Sequence, residues 1–302
     1  MNTPDKQNIL VLGGSGTVGS AVVEAFSAAG DFEVHAVSRQ GQSEIPGVVS
    51  HCFDLHASSI VSNLPAIEFD YIVDCAQPRY HAEDAADFGI DHIRKIEAAC
   101  SARTKKLIYT SGVWVYGDQA RPNRISEQSP LAPLEFAKAR MPILEYLQES
   151  SYPWIQLCLP SIVYGSVGPF QEMVRKARES DLVSIYDEAV LWSVVERCDL
   201  AQAYLSVINE RLNQPVYCIA EPDTVSVVAF FDAIGQAVKK PIPRKTREAL
   251  SESLSKGDHE VTFASQPVDS ELIRRQAGWK PKHRYSKDFW KFVNNGDLEE
   301  ET

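Results

Sequence analysis

The run "NILVLGGSGTVGSAVVEAF" constrains this chain more than any other stretch. An apolar strand leads straight into Gly13, Gly16 and Gly19, and a helix begins inside the glycine-rich turn. The three glycines have separate duties. Gly13 makes a tight turn out of the strand, Gly16 lets backbone approach a ligand, and Gly19 lets the helix lie close to the strand. A helix N-terminus there offers unpaired N–H groups and the positive end of a helix dipole. The segment from Gly13 through Ser15, Gly16, Thr17 and Val18 to Gly19 is therefore expected to cradle a pyrophosphate.

Such a loop opens an alternation of strands and helices, and the sequence supplies one. Strands are expected at 8–12, 32–38, 48–53, 71–76, 106–111, 154–164 and 216–220. Helices are expected near 17–29, 85–102, 134–150 and 199–211. The strands are apolar on both sides, as parallel strands covered on both faces must be. The expected fold is α/β, a Rossmann-type doubly wound parallel sheet with a smaller C-terminal substrate domain. The large domain covers 1–165, with 193–221 returning to it. Segments 166–192 and 222–292 form the smaller part, with helix signals at 225–239 and 269–277, and 293–302 is an acidic tail.

The end of the second strand bears on which dinucleotide would bind. A carboxylate there would accept a hydrogen bond from a ribose 2′-hydroxyl. The residues are Ser38 and Arg39 instead, which suit a 2′-phosphate and favour NADP(H) over NAD(H). A solvated loop arginine is the competing reading of Arg39. Asp54, after the third strand, is placed to accept from an adenine amino group, although Asp is also a common turn residue.

Composition excludes several classes. The 302 residues are 44% hydrophobic, enough for a sizeable core. A net charge of -11 argues against a polyanion such as nucleic acid as partner. No apolar run approaches the roughly 18 residues of a membrane helix, and the N-terminus has no signal-peptide pattern. The six cysteines are scattered without a CxxC pair, so buried free thiols in a reducing cytosol are expected, with no metal. Arg175, Arg178, Lys239, Lys240 and Arg244 suit either an acidic substrate or a solvated charged face.

Further motifs follow in order: "FDL" at 53–55, "DYIVDCA" at 70–76, "LIYTSGVWVYGD" at 107–118, "ISEQSP" at 125–130, the helix carrying Lys138, "LCLPSIVYG" at 157–165, "WSVVERCDLAQAY" at 192–204 and "ELIRRQAGWKPK" at 271–282. By their order and spacing the chain resembles the extended short-chain dehydrogenase/reductases of the NAD(P)-dependent epimerase/dehydratase type. The resemblance implies a nicotinamide dinucleotide lying across the sheet, touched also by Leu55, Cys75, Ala76, Gln77, Ser111, Lys138 and Pro160. It further implies a small-molecule substrate, often a nucleotide sugar, a cytoplasmic enzyme, and a homodimer paired through the helices at 85–102 and 134–150.

The family's catalysis uses a Ser or Thr and a Tyr-x-x-x-Lys pair. Four residues on an α-helix are about one turn, so the Tyr and Lys share a face. The nearby ammonium favours the phenolate of a tyrosine whose ordinary pKa is about 10. Here Lys138 is present, but Leu134 stands at the tyrosine's place and Gly112 at the serine's. Glu196 stands where a His is usual. Ser111 lies one residue early, where strand alternation turns it to the other face. Replacement proton donors on the sequence are Tyr116, Tyr164, Tyr80, His81 and Lys138 itself. Two expectations follow: an oxidoreductase or epimerase/dehydratase-like enzyme with relocated acid–base chemistry, or a non-catalytic NADP(H)-binding sensor.

Overall fold

A computed structural model of the chain describes residues 6–39, 43, 45–55, 60–64, 67–76, 85–119, 124–209, 212–252 and 254–294. Its backbone divides into two compact units. One holds residues 1–111, 139–157 and 201–217; the other holds 112–138, 158–200 and 218–302.

The first unit is built from β1 (Gln7–Leu12), α1 (Thr17–Ala29), β2 (Phe32–Ser38), β3 (Val49–Cys52), the short α2 (Ile60–Asn63), β4 (Tyr71–Asp74), α3 (Ala85–Glu97) and β5 (Lys106–Gly112). It continues with α4 (Met141–Glu149) and β6 (Trp154–Leu159). The central sheet has seven strands. Their order is β3-β2-β1-β4-β5-β6, with Val216–Cys218 outermost beside β6. The ladders of β1 with β2 and β4, β2 with β3, and β4 with β5 are all parallel. This is the doubly wound order in which ligands bind at the carboxyl ends of the strands. Residues 9–12 of β1 and all of β4 are buried on both faces, as the unbroken apolar runs require.

Further along, the chain adds β7 (Ile162–Tyr164), α5 (Pro169–Glu179), β8 (Ser184–Ile185), β9 (Leu191–Glu196), α6 (Arg197–Asn209, in the first unit from Ala201 on), β10 (Val216–Cys218, in the first unit to Tyr217), β11 (Thr224–Ser226) and α7 (Val227–Ala237). It ends with β12 (Arg244–Lys245), α8 (Arg247–Ser251), α9 (Lys256–Phe263), α10 (Glu271–Ala277) and α11 (Tyr285–Asn294). Helix α6 and strand β10 each cross between the two units. A three-stranded sheet, β11-β9-β7, backs an aromatic core in which Phe230 stacks on Tyr285 at 4.8 Å and Trp192 meets Phe230 at 5.5 Å.

Two sequence expectations change, both at prolines. The strand expected over 154–164 is two strands in different sheets, because the buried Pro160 between them has no N–H to continue a ladder. The helix expected over 134–150 is a 3-10 turn at Glu135–Arg140 followed by α4. Pro142 gives the Lys138 carbonyl no N–H four residues on, and its ring crowds that carbonyl, so an α-helix cannot run through this point. The cysteines also differ from expectation. All six are thiols outside any disulfide, and Cys75, Cys158 and Cys218 are buried, but Cys52 and Cys198 are exposed. Among the described residues no helix is long and apolar enough to cross a membrane.

Helices α3 and α4 are locked together. Gly89 leaves room for Ile143, whose Cδ1 would overlap any Cβ placed there. At the end of α3 the Glu97 carboxylate accepts from Tyr146 Oη at 2.7 Å, from Trp154 Nε1 at 3.0 Å, and from Ser150. Glu97→Ala strands these donors and is expected to cost about 2 kcal/mol, lowering Tm by several degrees on thermal melting.

Candidate active site

The glycine loop has the geometry its spacing implies. Gly13 has φ 74, in the left-handed region, and a Cβ there would stand 2.9 Å from the Ala76 nitrogen. A Cβ on Gly19 would overlap the Gly13 carbonyl, so only glycine lets α1 sit this close to the turn. Gly16 is the N-cap of α1 and supplies no side-chain cap, leaving the first-turn N–H groups at Thr17, Val18 and Gly19 facing out of the helix end. Gly16 N–H donates to Gly13 O, and Gly14 N–H donates to Val37 O, which ties the loop to β2. A cradle that side chains would fill, at an uncapped helix N-terminus, fits a pyrophosphate.

At the end of β2, Ser38 is half-buried and Arg39 is exposed. The Phe53 N–H donates to Ser38 O, bringing the start of the "FDL" turn beside them. Asp54 is half-buried and Leu55 buried. On the other side of β1, Cys75 is buried and Ala76 half-buried, and burial pushes the Cys75 thiol up to about 12. Gln77, Tyr80 and His81 lie outside the described residues. Ser111, near the end of β5, is buried and its Oγ has no hydrogen-bond partner among the described residues.

Gly112 and Leu134, where the resemblance leads one to expect a serine and a tyrosine, lie close to one aromatic residue. Gly112 is extended, with φ −143, so its backbone would accept any residue. What requires glycine is the Trp114 indole: a Cβ at position 112 would stand 2.9 Å from its Cε3 and 3.1 Å from its Cζ3. The ring fills the space that a serine side chain would take. Leu134 N–H donates to Trp114 O at 3.0 Å, and the Trp114 ring meets Phe136 edge-on at 5.4 Å. One aromatic residue thus contacts both Gly112 and Leu134.

Lys138 is largely exposed and paired with Glu135 at 2.6 Å. In a 3-10 turn residues three apart eclipse, which puts Glu135 rather than Leu134 beside the lysine. The hydrogen bond and charge of Glu135 raise the Lys138 pKa, so the ammonium is kept. Tyr116 is buried in the 3-10 turn after β5, where burial and then the Cys158 and Cys218 thiols push its hydroxyl pKa up. Tyr164 is fully buried and donates to Glu221 Oε1 at 2.6 Å; burial, then the Glu221 charge, raise its pKa as well. Pro160 is buried between β6 and β7.

Glu196 caps α6, its Oε2 accepting from Cys198 N–H at 2.7 Å and Asp199 N–H at 3.1 Å. Burial raises its pKa. Asp199 Oδ2 accepts from the His283 N–H at 2.7 Å and lies 3.0 Å from His283 Nδ1. These three residues bring ligand atoms within 4.8 Å of one another, but as a helix cap and its partner rather than an open coordination sphere. The basic residues 175 and 244 are spent locally, Arg175 on Glu172 and Glu179 and Arg244 on Asp232.

Sequence reasoning missed Trp114 and Glu221. The only signal for Trp114 was a bulky residue two positions after an otherwise unexplained glycine. Glu221, a carboxylate ending the apolar run "VYCIA", also accepts from Tyr285 N–H at 2.8 Å. Burial raises its pKa to about 7.

The sequence matches the model of the NAD dependent epimerase/dehydratase family over residues 9–149. No curated protein matches it. Among solved structures, the dTDP-glucose 4,6-dehydratase of Bacillus anthracis in complex with NAD is 19% identical, covers 98% of each chain, and has a TM-score of 0.75. The UDP-glucose 4-epimerase of Thermus thermophilus with NAD is 17% identical over 95% of this chain and 98% of that one, with a TM-score of 0.73. The UDP-glucose 4-epimerase of Thermotoga maritima with UDP-glucose is 16% identical over 98% and 100%, with a TM-score of 0.76. At these identities the structures establish a shared fold.

Two predictions follow from the geometry. Gly112→Ala is expected to cost roughly 1–3 kcal/mol by overpacking against the indole, and most of that cost should vanish in a Trp114→Val background; denaturant unfolding of the four proteins measures the coupling. Glu221 has a folded pKa raised from 4.5 to about 7. Its contribution to stability is therefore full below pH 4.5 and is lost as pH rises through 7. That loss is on the order of 3 kcal/mol, and Glu221→Gln should flatten this part of the stability–pH curve.

Proposed function

We propose that the chain is an NADP(H)-dependent oxidoreductase or epimerase/dehydratase-like enzyme with a non-standard active site, a reading supported by the match of residues 9–149 to the model of the NAD dependent epimerase/dehydratase family. The observation that carries the reading is the glycine cradle, where Gly13 and Gly19 leave no room for a side chain. The residues that hold the dinucleotide are the Gly13–Gly19 loop for the pyrophosphate, Ser38 and Arg39 for a 2′-phosphate, Asp54 and Leu55 at the adenine, and Cys75, Ala76, Gln77, Ser111, Lys138 and Pro160 toward the nicotinamide end. The bound dinucleotide supplies hydride transfer. The substrate is a small carbonyl or hydroxyl compound or a nucleotide sugar, the class named with the dehydratase and epimerases of this fold. Segments 166–192 and 222–292 are its substrate-binding part. We also infer a cytoplasmic homodimer joined through α3 and α4.

Proton transfer in this reading does not use a tyrosine four residues before Lys138. Tyr116 and Tyr164 are both buried, and their raised pKa values oppose a phenolate. Lys138, held as an ammonium by Glu135, is suited to binding ribose hydroxyls.

One observation favours a second reading, a non-catalytic NADP(H)-binding sensor: the Trp114 indole fills the serine's place. Fluorescence titration with NADPH and NADH, followed by turnover assays with UDP-glucose, dTDP-glucose and short aldehydes, separates the two. The enzyme reading expects turnover that falls on Lys138→Ala. Saturable NADPH binding without turnover of any compound selects the sensor. NADPH is expected to bind more tightly than NADH, with Arg39→Ala weakening NADPH roughly tenfold, about 1.4 kcal/mol for one charge-assisted contact. Equal binding of both cofactors, unchanged in that variant, overturns the NADP preference.

A further inference from the structure

A buried ion-pairing geometry behind the glycine loop has no part in the reading above. Asp74 ends β4 and is 1% exposed, an acidic side chain in an otherwise apolar strand. Its two oxygens have different partners. Oδ1 accepts from the Ala76 N–H at 3.1 Å, closing the turn that follows the strand. Oδ2 lies 3.1 Å from Nε2 of His92, a buried residue on α3, and since a carboxylate only accepts, the imidazole N–H donates.

That turn is one wall of the glycine loop. The backbone at Cys75 and Ala76 lies so close to Gly13 that a Cβ on Gly13 would stand 2.9 Å from each. Cys75 N–H donates to Leu12 O at 3.0 Å, and Thr110 Oγ1 donates to Cys75 Sγ at 3.6 Å. Thr110 Oγ1 is in turn 2.8 Å from Tyr204 Oη. Backbone contacts of this tightness transmit small displacements, because packed interiors deform little. Removing the His92 donor frees the Asp74 carboxylate to rotate, the Ala76 N–H loses its acceptor, and the wall against Gly13 loosens.

We propose that His92 is a positioning residue of the dinucleotide site: through Asp74 it fixes the Cys75–Ala76 turn against Gly13 and so sets cofactor affinity without touching the cofactor. This rests on the dinucleotide reading given above. His92→Leu removes the donor, whereas His92→Gln keeps an N–H at the position of Nε2. The wild type, both variants and Glu97→Ala are titrated with NADPH by fluorescence and melted thermally. Glu97→Ala is the control, since it loosens the other end of α3 without touching the turn.

The expected result is a 5–10-fold rise in NADPH Kd for His92→Leu, recovery to within about twofold of wild type for His92→Gln, and a lowered Tm with unchanged Kd for Glu97→Ala. Should His92→Leu not fold, Asp74→Asn carries the same expectation of weakened binding. Saturable binding by the wild type with an unchanged Kd in these variants overturns the positioning role alone. So does a Kd in Glu97→Ala that rises as much as in His92→Leu. No saturable signal from the wild type with NADPH or NADH overturns the dinucleotide reading and this proposal together.

Discussion

The contact on which the first unit depends is the packing of α1 against the turn that precedes it. Gly19 lies on the Gly13 carbonyl with no room for a Cβ, and Gly13 lies on the Cys75–Ala76 backbone with none either. Those two approaches set where the end of β1 stands relative to β4 and where the N-terminus of α1 points. The uncapped N–H groups at that terminus follow from the same constraint, since a glycine N-cap offers no side chain. A phosphate cradle is in this sense a by-product of a packing arrangement available only to glycine.

A second glycine contact works in the opposite direction. Gly112 sits in ordinary extended backbone, and its missing side chain makes room for an indole rather than for a ligand. The glycine at 112 is therefore explained by packing against Trp114. Phe136 meets that ring edge-on, and the Leu134 N–H donates to the Trp114 carbonyl. The 3-10 turn ahead of Pro142 pairs Lys138 with Glu135.

Much of the fold was legible because its signals are local. Strands apolar on both faces report a covered parallel sheet, and the elements at 7–12, 17–29 and 32–38 fall where the pattern of residues puts them. The misplacements have local causes that pattern alone underweights. The apolar run 154–164 looks continuous because Pro160 is itself apolar, yet it has no N–H for a ladder. The spacing of Phe136, Ile143 and Leu147 looks helical because 3-10 and α turns differ by well under one residue per turn, while the missing N–H of Pro142 decides between them. The burial of Tyr116 and Tyr164, which bears on their use as proton donors, depends on partners 42 residues or more away in sequence.

The sequence by itself determined the class of fold and the glycine loop, because each is written in residue types at fixed short spacing. Only the tertiary structure decided what Gly112 and Leu134 meet and what supports the loop from behind. The Trp114 ring over Gly112 depends on side-chain direction, and the link from His92 through Asp74 to Ala76 joins residues 18 apart by way of a helix packed on a strand. Spacing along the chain fixes which residues a short element presents. Only packing of one element on another fixes what those residues meet.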